Sequence, residues 1–221
     1  MEHILNHEKA HQKYFEEMTA IPHGSYHEQA YSAYLVAFAK EHGLKWIQDE
    51  LYNVIIYKDA SAGYEDHAPV LLQAHTDMVC EKNKDTDFDF EKDALKLYIE
   101  DGFLKARGTT LGADDGVGVA YMLALLSDPD AKHPPLECVF TVQEEVGLFG
   151  AMALKKEYFQ AKRMINLDDG GENATCTTSA GGVNVIMQKE RILVPHDGNG
   201  YQIDVFGLHG VHSGGEIDKE H

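Results

Sequence analysis

The chain has 221 residues, 43% of them apolar and 25% charged, enough for one full domain with a buried core and part of a second. Its 19 basic and 37 acidic side chains leave a formal charge of −18. That balance argues against nucleic acid and anionic membrane surfaces as partners, because both require basic patches. No apolar run reaches the roughly 18 residues of a spanning helix, so no membrane segment is expected.

The cysteines Cys80, Cys138 and Cys176 are odd in number and lack a short pairing pattern, so a reducing compartment is expected rather than a disulfide framework. The opening residues 1–8 have neither a basic leader nor a long apolar stretch, which predicts no signal peptide and a cytoplasmic location.

In chain order, Tyr14, Phe15 and Met18 predict a helix that ends before Pro22. Ser25-Tyr26-His27-Glu28 reads as a capping box for a second helix carrying Tyr31, Tyr34, Leu35 and Phe38, with Gly43 as its stop. Apolar runs at Val54–Tyr57, Val70–Ala74, Leu136–Val142 and Met164–Leu167 predict buried strands. Val117–Leu126 and Leu148–Lys156 predict helices between them. Such alternation gives an α/β domain with a largely parallel central sheet. Beyond Gly181-Gly182, Val183–Met187 and Gln202–Phe206 predict a strand pair around the turn Asp197-Gly198-Asn199-Gly200. A strand pair alone is too small to stand as a domain, so a second unit is only begun.

Four short acidic segments follow or end predicted strands, where open α/β sheets gather their ligand sites. After the strand at 70–74, His75 and Asp77 sit two residues apart and face the same way. Asp77 could fix the tautomer of a metal-bound His75, although a solvated pair is the plainer reading. Asp114-Asp115 lies between Gly112 and Gly116 ahead of a helix. A carboxylate there can bridge two cations about 3.5–4 Å apart, or simply charge a helix-capping turn. The P-loop lysine is missing, which argues against a phosphate cradle. Glu144-Glu145 ends the strand at 136–142, where one glutamate could bind metal and the other move protons, or both could be surface charge. Asp168-Asp169-Gly170 closes the last strand, with an Asx turn as the alternative.

Taken together and in this order, His75-Thr76-Asp77-Met78-Val79, Thr110-Leu111-Gly112-Ala113-Asp114 and Glu144-Glu145-Val146-Gly147 resemble the metallopeptidase family of aminoacylases, carnosinases and carboxypeptidases. They come nearest to its aminoacyl-histidine dipeptidase branch. The resemblance runs from Ile21-Pro22 to His212-Ser213-Gly214. It implies an α/β fold with a mixed, largely parallel sheet flanked by helices over residues 1–184. The start of an α+β lid and dimerisation domain would occupy residues 185–221. A homodimer and a dipeptide substrate are implied as partners. Two Zn2+ ions are implied as cofactors, with Co2+ or Mn2+ as alternatives.

By the same resemblance His75 and Asp168 hold one metal, Glu145 belongs to the other, and Asp114 bridges both through a cis bond to Asp115. Asp77 orients His75, and Glu144 is the general base. His212 reaches over from the lid to the substrate. His23, His27, His42 and His133 match no ligand position. Family chains continue past the lid and supply a further histidine to the second metal, which this sequence does not contain. The expected activity is hydrolysis of dipeptides, preferentially those ending in histidine. Two other readings stay open. One is a non-catalytic metal-binding or oligomerising remnant, and the other an aminoacylase- or carboxypeptidase-type hydrolase.

Overall fold

The computed structural model describes residues 3–169, 174–178, 185–190, 192, 195 and 197–205. Two units divide the chain, Met1–Thr177 and Thr178–His221, where the sequence places the domain boundary at 184/185. In the first unit, helices α1 (Ala10–Thr19) and α2 (Gln29–Glu41) precede strands β1 (Lys45–Gln48), β2 (Val54–Lys58) and β3 (Val70–His75). A hairpin of β4 (Leu97–Glu100) and β5 (Phe103–Ala106) leads to α3 (Ala113–Ser127) and β6 (Leu136–Thr141). The short helix α4 (Phe149–Ala153), a 3-10 turn at Lys156–Tyr158 and strand β7 (Met164–Asn166) complete it.

Five strands form a mixed sheet in the order β1-β2-β6-β3-β7. The first two pairings are antiparallel, whereas β6–β3 and β3–β7 are parallel. All six residues of the central strand β6 are buried, which explains its mostly apolar texture. Its one acid, Glu137, is satisfied in place by accepting the N–H groups of Gln160 and Ala161. Around the sheet pack Tyr14, Phe15 and Met18 of α1, Tyr31, Leu35 and Phe38 of α2, and Val119, Met122 and Leu123 of α3. Full burial of each such side chain contributes about 1.5–3 kcal/mol, so this shared core fixes the helices on the sheet. The parallel arrangement brings the carboxyl ends of β3, β6 and β7 to one edge.

Several sequence expectations need correction. Ser25-Tyr26-His27-Glu28 is not a capping box: Tyr26 takes a left-handed φ of 71°, and α2 starts without a side-chain cap. The Ser25 hydroxyl donates to Asp77 instead. The helix expected at 148–156 is broken, because Leu154 is extended between α4 and the 3-10 turn. Sequence reading missed β1, an edge strand whose side chains are mostly exposed. It also missed the β4–β5 hairpin, although Asp101-Gly102 carries the two positive φ angles of a type I′ turn. The strand expected at 183–187 lies partly outside the described residues, and 185–187 form no strand. Nor do the described residues 202–205. Val185, Ile186, Met187, Ile203 and Val205 are exposed, so among the described residues nothing packs on them to reward extended pairing.

Candidate active site

His75 ends β3, with its ring almost fully buried at 1% exposure. Its Nδ1 lies 2.9 Å from the Asp77 carbonyl oxygen and 3.5 Å from the Asp77 carboxylate. On the other side of the ring, Nε2 lies 3.0 Å from Asp114 Oδ1 and 4.0 Å from Asp168 Oδ2. Burial opposes a charge on His75, but hydrogen bonds to Asp77 and Asp114 outweigh it and raise the imidazole to about 10.

Asp114 and Asp115 enter α3 from Gly112, whose φ is 70°. A side chain at Gly112 would crowd Met78 and His23, so the turn calls for glycine twice over. The Asp114–Asp115 peptide bond is cis. Asp115 Oδ1 accepts the Gly118 N–H, while its buried Oδ2 has no hydrogen-bond partner. Burial and the neighbouring Asp168 push its carboxyl up to about 7.

The glutamate pair sits on an elbow beyond β6. Gln143 takes a left-handed φ of 54°, turning the chain away from the sheet direction. Asp77 is the bracket beneath it, accepting Glu144 N–H at 2.9 Å, Glu145 N–H at 3.2 Å and the Ser25 hydroxyl at 2.8 Å. These bonds and His75 hold the Asp77 carboxyl below its ordinary range despite burial, so it stays an anion. Glu28 accepts the Gln143 N–H at 3.0 Å. Asn53 clamps both flanks, accepting Val142 N–H and donating to Gly150 O. Sequence reading places Ser25 and Glu28 in a helix cap and gives Asn53 no role, since nothing local links these residues to partners 52 to 115 positions away.

The structure brings His75, Asp114 and Asp168 together, with one ligand atom from each within 4.8 Å of the others. His75, Glu144 and Glu145 form a second such group. Burial raises Glu144, Glu145 and Asp168 above the ordinary carboxylate range, and the neighbouring acids add to it. Several carboxylates destabilising one another around one imidazole are what a bound cation would relieve, so this donor set fits a metal centre. His23, His27, His42 and His133 belong to neither group. His212 lies outside the described residues. Beside Glu145 opens a cleft of about 400 Å³ lined by Gly24, Tyr26, Met78, Cys80, Phe90 and Val146, among others.

Residues 71–216 match Peptidase family M20/M25/M40. Over 205 residues, 92% of this chain, the sequence is 44% identical to the cytosol non-specific dipeptidase of Escherichia coli (strain K12). This chain spans 42% of that relative's length. The aminoacylhistidine dipeptidase structure from Vibrio alginolyticus superposes with a TM-score of 0.71 at 41% identity, covering 72% of this chain and 33% of that one. Aminopeptidase PepT from Bacillus cereus gives 0.62 at 26% identity, covering 76% of this chain and 45% of its own. No helix among the described residues is long and apolar enough to cross a membrane. The sequence match, the shared mixed sheet and the acidic cluster at its carboxyl edge agree: the chain belongs to Peptidase family M20/M25/M40.

Proposed function

We propose that this site hydrolyses the peptide bond of dipeptides, preferentially those ending in histidine. The observation that carries the reading is the convergence of His75, Asp114, Asp168, Glu144 and Glu145 at the carboxyl edge of β3, β6 and β7. His75, Asp114 and Asp168 would hold one divalent cation, and Asp114 with Glu145 a second. Zinc suits these ligands, and cobalt or manganese are alternatives. When bound, such ions polarise the scissile carbonyl and lower the pKa of water.

Asp77 fixes the His75 ring on one side and the Glu144–Glu145 backbone on the other. Glu144 acts as general base: it takes a proton from the attacking water as the new C–O bond forms. It then passes that proton to the departing amine nitrogen as the C–N bond breaks. Burial and the acids around Glu144 raise its proton affinity, which suits this double duty. The cleft beside Glu145 is where the dipeptide would lie.

Dipeptides are the substrates named for both the Escherichia coli and Vibrio alginolyticus relatives, and the histidine preference follows the second. A cytosolic setting fits the name of the first, and we propose a homodimer as the assembly. Histidine release from glycyl-histidine and β-alanyl-histidine, compared with hydrolysis of glycyl-leucine, tests substrate choice. Faster release from the histidine dipeptides, abolished by a chelator, supports the proposal; hydrolysis indifferent to chelation refutes it.

A further inference from the structure

His3, His7 and Glu16 form a third group whose ligand atoms lie within 4.8 Å of one another, apart from the acidic cluster. We propose that these three residues are a separate binding site for a divalent transition-metal ion, independent of peptide hydrolysis. Glu16 projects from α1 and receives the backbone of the preceding segment, accepting Ile4 N–H at 3.0 Å and Leu5 N–H at 2.8 Å. Those two bonds aim the carboxylate and curl the segment so that both histidines reach it. His7 Nε2 lies 3.1 Å from Glu16 Oε2, and His3 Nδ1 lies 3.8 Å from Oε1. The two imidazoles stack with centroids 3.6 Å apart.

Oε1 keeps a lone pair after accepting the Ile4 N–H, and the lone pair of Oε2 that now meets His7 Nε2 is the one a cation shared with that imidazole would take, so Glu16 retains ligating capacity. Two imidazoles and one carboxylate make a three-ligand set that leaves a fourth position for water. His3 is 57% exposed, so that position faces solvent. Compared with the carboxylate-rich cluster, this set is richer in nitrogen, which favours zinc, nickel or copper over magnesium or manganese. The backbone bonds to Glu16 play the orienting part that supporting hydrogen bonds play around metal ligands. The bonds also link the site to the fold, because Leu5 between the histidines packs on the core. A bound ion would fasten this segment to α1 and stabilise the folded chain by linkage. The chain's strong negative charge raises the local cation concentration.

Zinc chloride titrated calorimetrically into three proteins tests the proposal: the unaltered chain, His3→Ala/His7→Ala, and Asp114→Asn/Asp168→Asn. The histidine variant should lose one binding event, weakened at least tenfold, and keep dipeptide hydrolysis unchanged. The aspartate variant should retain that event, so a failure of the peptidase reading would leave this result standing. Unchanged stoichiometry and affinity in His3→Ala/His7→Ala would overturn the site and leave the histidines as a tether. On the unaltered chain, substoichiometric Cu2+ should broaden the ring C–H resonances of His3 and His7; sharp resonances would also overturn it.

Discussion

Replacing Asp77 with asparagine should destabilise the chain more than any other single-atom change at the site. Asp77 is 1% exposed and offers two oxygens to three donors, namely Glu144 N–H, Glu145 N–H and the Ser25 hydroxyl. Asparagine turns one oxygen into a donor. Whichever way the amide points, it confronts either Glu144 N–H or Glu145 N–H, and one buried donor loses its acceptor. That conflict costs about 1–3 kcal/mol. The remaining bonds fall from charge-assisted to neutral strength, roughly halving each. The sum is a loss of about 2–4 kcal/mol, whereas Ser25→Ala removes one hydroxyl and should cost about 1 kcal/mol. Urea unfolding of the metal-stripped proteins, followed by circular dichroism, measures both. An Asp77→Asn loss below about 0.5 kcal/mol, less than one typical hydrogen bond, would refute the bracket.

Two further substitutions probe the elbow from its other supports. Burial, helped by Asp77, raises the Glu28 carboxyl above its ordinary value. Its contribution to stability is therefore full below the unfolded carboxylate pKa of about 4.3 and is lost as pH rises through the raised folded value. Glu28→Gln keeps an acceptor for Gln143 N–H but cannot ionise, so melting temperatures across that window should vary less than in the unaltered chain. A profile as steep as before would show that Glu28 is not the group that titrates in this window. A methyl group at Gly150 would meet the Val142 backbone and Asn53 Oδ1. Gly150→Ala should therefore cost about 1–3 kcal/mol by overpacking, measured by urea unfolding, and neutrality would show that the clamp yields freely.

The central strands were legible because burial on both faces writes itself as mostly apolar sequence, as in Leu136–Thr141 with Glu137 and Thr141 its polar exceptions. His75, Glu144, Glu145 and Asp168 were legible because they stand at or just beyond the ends of those strands, where chain direction gathers them, whereas Asp114 was legible from its glycine-flanked turn at the start of α3. Edge and peripheral elements carry weaker signals: in β1 only Ile47 is even half-buried, so tertiary pairing with β2 decides its conformation. The hairpin carries its signal in the Asp101-Gly102 turn alone, since its two four-residue strands are too short to show a periodicity. Ser25 misled, since an identical serine pattern serves a helix cap in one context and a carboxylate 52 residues away in another. Long-range hydrogen bonds of this kind leave no periodicity to read.

In the proposed mechanism Glu144 moves the proton while its neighbours hold metal. The most direct test is turnover of glycyl-histidine by zinc-loaded Glu144→Gln, with metal content determined on the same samples. Losing a positioned general base predicts a fall of about 10²–10⁴-fold in turnover at unchanged zinc per chain. Turnover preserved in the variant, or lost together with its zinc, would contradict the assignment.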